Sequence, residues 1–160
     1  MFLLSDASIL IDLDYVDSIE RLMRIGQCEV LDVVVEECRD PKQPNIISNI
    51  EMAGIEIITT DKNIMDSALM INNPYLSYQD RMIYMYAKEN NRIVLSGDKA
   101  LREFCLAGDI ECHGLIWLVE EFISRNILIP DEFLDWLPKL EKMGRRLPKQ
   151  EIKRLCDKYK

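Results

Sequence analysis

The residues of this chain able to do chemistry are mostly acids. A single histidine, His113, rules out HExxH zinc sites and multi-histidine metal clusters, and leaves one candidate base for a serine or cysteine nucleophile. It sits in IECHGLIW, where a half-buried strand-end residue is the simpler role, and no function is assigned to it. Five scattered cysteines with no CxxC spacing indicate neither a disulfide framework nor a thiolate zinc site. Four acids remain at telling places. Asp6 follows LLS, Asp98 closes IVLSGD, Glu37 lies in VVVEEC, and Asp80 lies in LSYQDRMIYMYAKE. Gathered together, four carboxylates repel one another and suit hard divalent cations such as Mg²⁺ or Mn²⁺. Two such ions about 4 Å apart can align a water with a phosphodiester and stabilise the leaving oxygen without a basic histidine.

Convergence of residues so far apart requires a particular scaffold. Short apolar runs at 2–5, 29–32, 55–59, 92–96 and 110–113 alternate with segments of helical length, the pattern of βαβ units around a parallel sheet of about five strands. Apolar stripes mark helices over 17–25, 78–90 and 115–124. In open parallel sheets ligands bind beyond the carboxyl ends of the strands, which is where Asp6 and Asp98 fall. Val34 and Cys38 form an inward i, i+4 pair that lets Glu37 lean over the sheet's end, and Asp80 opens the helix feeding the fourth strand. Each acid also has a purely structural role available. Asp6 and Asp98 are well placed as helix N-caps, Ser77-x-x-Asp80 is a capping box, and Glu37 suits an exposed helix position. Arg81, Lys99 and Arg102 lie near the acids and can assist with an anionic substrate, although Asp98 and Arg102 are also spaced as an i, i+4 surface pair.

The chain has 160 residues, enough for one sizeable core. No apolar run approaches membrane-spanning length, and MFLLSDAS lacks a basic signal region, so a mature cytoplasmic protein is expected. The net charge of −8 is unevenly placed: residues 139–160 carry nine Lys/Arg against three acids, a net of +6, which leaves −14 to residues 1–138. From Pro130 onward two helices are expected, broken near Gly144 and Pro148. Phe133, Leu134, Leu137 and Leu140 form a stripe on the first, to close the core or meet a partner. The basic tail suits contact with RNA or with a partner, and equally a solvated helix face.

LLSDAS, Val34-x-x-Glu37-Cys38, Ser77-x-x-Asp80, and LSGDKALREFC followed by HGLIWLVEEF together resemble a PIN domain over about residues 1–128, with 129–160 as a helical extension on the same domain. The resemblance implies a three-layer α/β/α fold and a Mg²⁺- or Mn²⁺-dependent endoribonuclease. It implies Asp6, Glu37, Asp80 and Asp98 as the acidic quartet that holds the metal, with Ser8 at a polar position often found two residues after the first Asp. It also implies a homodimer and, as in VapC-type toxins, a small antitoxin partner. A further acid usual in the family past the last Asp is here Arg102 or Glu103, and Glu36 competes with Glu37. Two rival functions are open. ILIDLDYV looks like the opening of a haloacid-dehalogenase-type phosphatase with Asp12 as nucleophile, and a PIN-like scaffold can bind RNA or protein without cutting.

Overall fold

The structure is a computed structural model that describes residues 1–159. Five strands, β1 (Phe2–Ser5), β2 (Gln27–Leu31), β3 (Glu56–Ile58), β4 (Ile93–Leu95) and β5 (Cys112–His113), form one sheet in the order β3-β2-β1-β4-β5. Every pairing is parallel. Helices cover both faces, giving the expected three-layer α/β/α arrangement. β1 is central, and Leu3 and Leu4, which point to opposite faces, are both wholly buried. The order runs outward from β1 to β3 and then returns to the other side of β1 with β4. The switch point therefore lies between the carboxyl ends of β1 and β4.

The helices are α1 (Ala7–Tyr15), α2 (Asp32–Glu37), α3 (Ile46–Met52), α4 (Lys62–Leu69), α5 (Tyr78–Asn90), α6 (Lys99–Ala107), α7 (Leu115–Ser124), α8 (Pro130–Lys142) and α9 (Lys149–Tyr159). The stripe expected over 17–25 is instead a 3₁₀ helix, Ile19–Arg24, because α1 already occupies the preceding turns. Asp17 leaves α1 with a positive φ of 51°, which resets the chain direction. α5 and α7 fall where the apolar stripes place them. On α5, Tyr84 is buried with Met82, Ile83 and Ala87, whereas Met85 and Tyr86 are only half-buried. α7 seats Leu115, Ile116, Leu118, Val119 and Phe122 in the core, and each fully buried side chain contributes roughly 1.5–3 kcal/mol.

The C-terminal segment belongs to the same core. Phe133, Trp136 and Leu140 of α8 and Leu155 of α9 are buried in the cluster that covers the sheet. The α8 stripe thus closes the core, with Trp136 buried and Leu134 and Leu137 half-buried. Arg154 of α9 reaches Glu120 of α7 at 2.6 Å. Among the described residues no helix is long and apolar enough to cross a membrane.

Candidate metal-dependent nuclease site

The register at the centre of the sheet brings two acids side by side. Leu4 pairs with Val94 and Ser5 with Leu95, and the Asp6 N–H continues the ladder by donating to the Leu95 carbonyl at 2.9 Å. Asp6 thus leaves β1 next to Ser96-Gly97-Asp98, which leaves β4. Each acid then begins a helix. Asp6 caps α1 by accepting from Ile9 N–H at 3.0 Å, and Asp98 caps α6 by accepting from Ala100 N–H at 3.3 Å. The capping roles are real, and the two helix N-termini lend positive potential to the same place.

Two serines lock this junction. Ser96 Oγ donates to Asp6 Oδ2 at 2.5 Å and accepts from the Asp98 N–H at 3.0 Å. Ser8 Oγ lies 2.8 and 2.9 Å from the two Asp6 carboxylate oxygens and accepts from the Gly97 N–H at 3.1 Å. A Cβ at residue 97 would stand 3.2 Å from Ser8 Oγ, so glycine keeps this approach open. Ser8, expected at a polar position two residues after the first Asp, therefore orients Asp6. Ser96 carries no signal of its own in the sequence, although it stands in the LSGD run that marked Asp98. A carboxylate offers about four lone-pair directions. Ile9, Ser8 and Ser96 make four contacts with the Asp6 oxygens, Ser8 reaching both, so the carboxylate is firmly oriented.

Asp80 arrives from α5. Ser77 Oγ accepts from the Asp80 N–H at 3.1 Å, so half of the capping box forms. The Asp80 carboxyl itself lies against that of Asp98. Burial, then the negative charges of Asp98 and Asp6, push its pKa up to about 7. Asp6, 5% exposed, is also raised, chiefly by burial against the opposing pull of its hydrogen bonds. Glu37, at the end of α2, is exposed overall, yet partial burial of its carboxyl and the charge of Asp6 raise its pKa too. Val34 and Cys38 point inward as expected. Glu36 turns away to pair with Arg39 at 2.7 Å on the surface, which distinguishes the two neighbouring glutamates. Asp80 thus feels both Asp98 and Asp6, and Glu37 feels Asp6.

Among the described residues, no lysine or arginine forms an ion pair with Asp6, Asp80 or Asp98. Hard oxygen donors with uncompensated charge fit the chemistry of a divalent cation. As they stand, no three His, Cys, Asp or Glu side chains among the described residues are placed to hold one. Asp80 lies against Asp98 and within the field of Asp6, and Glu37 lies within the field of Asp6.

Among the described residues the cations near the acids form no ion pairs with the quartet. Arg102 makes no ion pair with Asp98; its guanidinium extends toward Gly114 at the start of α7, and its buried Nε has no hydrogen-bond partner. Arg81 donates to the Asn73 carbonyl at 2.8 Å and fastens the loop before α5. Lys99 is exposed and only 3.8 Å from Glu103. With Asp98 it borders an open groove of about 690 Å³ that also includes Tyr75 and Phe104. Asp12 is buried in α1, well past the end of β1, and is paired with Arg145 at 2.5 Å. A phosphatase nucleophile needs a position directly after a strand, so the geometry withdraws that role from Asp12. His113 ends β5 and stacks on Trp117 with ring centroids 4.1 Å apart. The cysteines are all free; Cys28, Cys38, Cys105 and Cys112 are buried, and burial pushes the Cys28 and Cys38 thiols up to about 12.

Comparison with known proteins follows the same lines. No curated protein matches the chain. Among solved structures, the crystal structure of PAE2754 from Pyrobaculum aerophilum superposes with a TM-score of 0.56 at 13% identity, over 78% of this chain and 90% of that one. At that identity the likeness is one of fold. The model of the DUF3368 family, described as a PIN domain, matches residues 2–160, which includes α8 and α9. A match from β1 to the end of the chain, over a sheet whose switch point gathers acids from β1, β4 and α5, leaves one assignment: the chain belongs to the PIN-domain family.

Proposed function

We propose that this protein is a Mg²⁺- or Mn²⁺-dependent endoribonuclease whose cutting site is the acid cluster of Asp6, Asp80, Asp98 and Glu37. The supporting observation is the carboxyl of Asp80, raised to about 7 by burial beside Asp98 and Asp6 with no ion-pairing partner among the described residues. A fold does not keep such repulsion at its topological switch point for stability, and PIN-family nucleases work with divalent cations. Bound there, the cation supplies an activated water and stabilises developing charge on the leaving oxygen.

The chain's own residues have separable roles. Asp6 is a fixed ligand, immobilised by Ser8, Ser96 and Ile9 N–H. Asp98 is tied to the same frame through Ser96. Asp80 and Glu37 approach from α5 and α2, elements outside that frame, and complete the charge. The N-termini of α1 and α6 face the site and favour the phosphate of an approaching strand. Arg81 and Arg102 are positioning and strand-binding groups, and Lys99 lies beside Asp98 at the mouth of the open groove. The reduced cysteines fit work in the cytoplasm. A homodimer and a small inhibitory antitoxin, as in VapC-type toxins, are part of the same proposal.

Incubation of the purified protein with single-stranded RNA tests it. Cleavage is expected with Mg²⁺ or Mn²⁺, none with chelator, and none by Asp80→Asn at a temperature where that variant stays folded. Cleavage of equal strength by Asp80→Asn would leave Asp80 as a helix cap only.

A further inference from the structure

Beside the acid cluster, separate from the groove that Lys99 borders, runs a cleft of about 580 Å³ that neither the fold nor the cutting chemistry explains. One end is Gly97, between Ser96 and Asp98. Its walls are the start of α7, with His113, Gly114 and Trp117, and the turn between α8 and α9, with Arg146. Three features set it apart from a packing defect. The first is size: it falls within the range of small-ligand sites and suits one nucleotide. The second is a flat aromatic pair, the His113 and Trp117 rings stacked within 8° of parallel, both lining the cleft.

The third feature is its charge. Two acids of the cleft are already answered, Asp12 by Arg145 and Glu120 by Arg154. Arg102 and Arg146 have no such partner among the described residues, and the remaining acid, Glu151, is exposed. Arg102 is half-buried with its Nε shielded and unbonded, a costly state for a guanidinium unless something polar arrives. An aromatic surface with two available guanidinium groups is the equipment for an unpaired base and its phosphate.

We propose that this cleft binds one unpaired nucleotide of the RNA next to the bond to be cut, the base against the His113–Trp117 pair and the phosphate on Arg102 and Arg146. The assignment rests on the ribonuclease proposal for the neighbouring acids. It also explains the α8–α9 segment, whose basic tail docks on α7 and completes a substrate cleft through Arg146. A paired base cannot enter such a site, so single-stranded RNA is the form preferred.

Adenosine 5′-monophosphate is a suitable probe, because it contains no phosphodiester to cut and so reports on the cleft independently of nuclease activity. Trp136 is buried in the core, so Trp117 is the tryptophan a cleft ligand would reach. Titration of the wild type in chelator should quench tryptophan fluorescence saturably. Trp117→Phe should abolish the response, and Arg146→Ala, at an exposed position where folding is undisturbed, should weaken binding by about tenfold. With single-stranded RNA, Arg146→Ala should also lower the salt slope of binding by about 0.7. Quenching and its loss in Arg146→Ala, in a protein that cuts no RNA, would keep the cleft and remove the nuclease proposal. RNA cleavage with no quenching, or with Arg146→Ala binding nucleotide and RNA as the wild type does, would overturn the cleft while leaving the nuclease intact.

Discussion

Glu29 and Asp6 are buried acids on neighbouring strands, 7% and 5% exposed, and they are treated in opposite ways. Glu29 of β2 accepts from Arg92 Nε at 2.5 Å and from Tyr86 Oη at 3.0 Å, so its charge and its lone pairs are satisfied by the chain. Asp6 of the β1 exit is held only by neutral donors, and its charged neighbours are other acids. In the middle of β2 the fold neutralises a carboxylate internally; beyond the carboxyl ends of β1 and β4 it gathers carboxylates with which no lysine or arginine pairs among the described residues. The first arrangement is structural support; the second leaves charge uncompensated, as the proposed cation site requires.

The largest expected contrast is in activity. Asp6→Asn or Asp98→Asn should reduce metal-dependent RNA cleavage by well over the roughly 10–100-fold typical of losing an outer partner of a metal ligand, and Ser96→Ala should fall within that range. Arg92→Met should leave cleavage per folded molecule unchanged. Its effect belongs to stability: it strands the Glu29 carboxylate in the sheet and should cost about 3 kcal/mol in denaturant unfolding.

These contrasts separate what was legible in the chain from what was not. The strands announced themselves by short β-branched runs, and Asp6 and Asp98 by standing directly after them, because a parallel sheet has only one end at which chain exits converge. Glu37 and Asp80 were legible through Val34 with Cys38 and through Ser77, local signals that fix a helix's start or inward face. Ser96 and Arg145 were not. Ser96 matters through a bond to Asp6 90 residues earlier in the chain, and Arg145 through Asp12 at 133 residues' remove, and no local pattern encodes such pairs. The helices α3 and α4 were also missed, being two turns each. The Asp61 cap that bonds Ile64 N–H was the available sign of α4. Arg102 shows the reverse error: i, i+4 spacing from Asp98 suggested a pair, but the side chain follows the cleft instead.

A smaller effect sharpens the comparison through pH. The folded protein holds a proton on Asp80 up to about pH 7, whereas the unfolded chain releases it near 3.8, so the folded state binds more protons in that window. Stability of the metal-free protein should therefore fall as pH rises from about 4 to 7, with the Asp80 contribution. Asp80→Asn should melt a few degrees higher than the wild type at pH 8 without metal, and the difference should vanish toward pH 4. Millimolar Mg²⁺ should raise the wild-type melting temperature and shift Asp80→Asn less. The smallest effect concerns the neighbouring glutamates. Glu36→Gln removes only an exposed surface pair with Arg39 and should change stability by less than about 0.5 kcal/mol, with cleavage unaffected. Glu37→Gln should slow cleavage measurably.

Calorimetric titration of Mn²⁺ into the wild-type protein and into Asp98→Asn at pH 7.5 tests most directly whether the uncompensated acids form a cation site. Saturable binding is expected in the wild type at micromolar to millimolar Mn²⁺, with the affinity lost or strongly reduced in Asp98→Asn and retained in Glu36→Gln. Absence of Mn²⁺ binding by the wild type at millimolar concentration, or equal binding by wild type and Asp98→Asn, would contradict it.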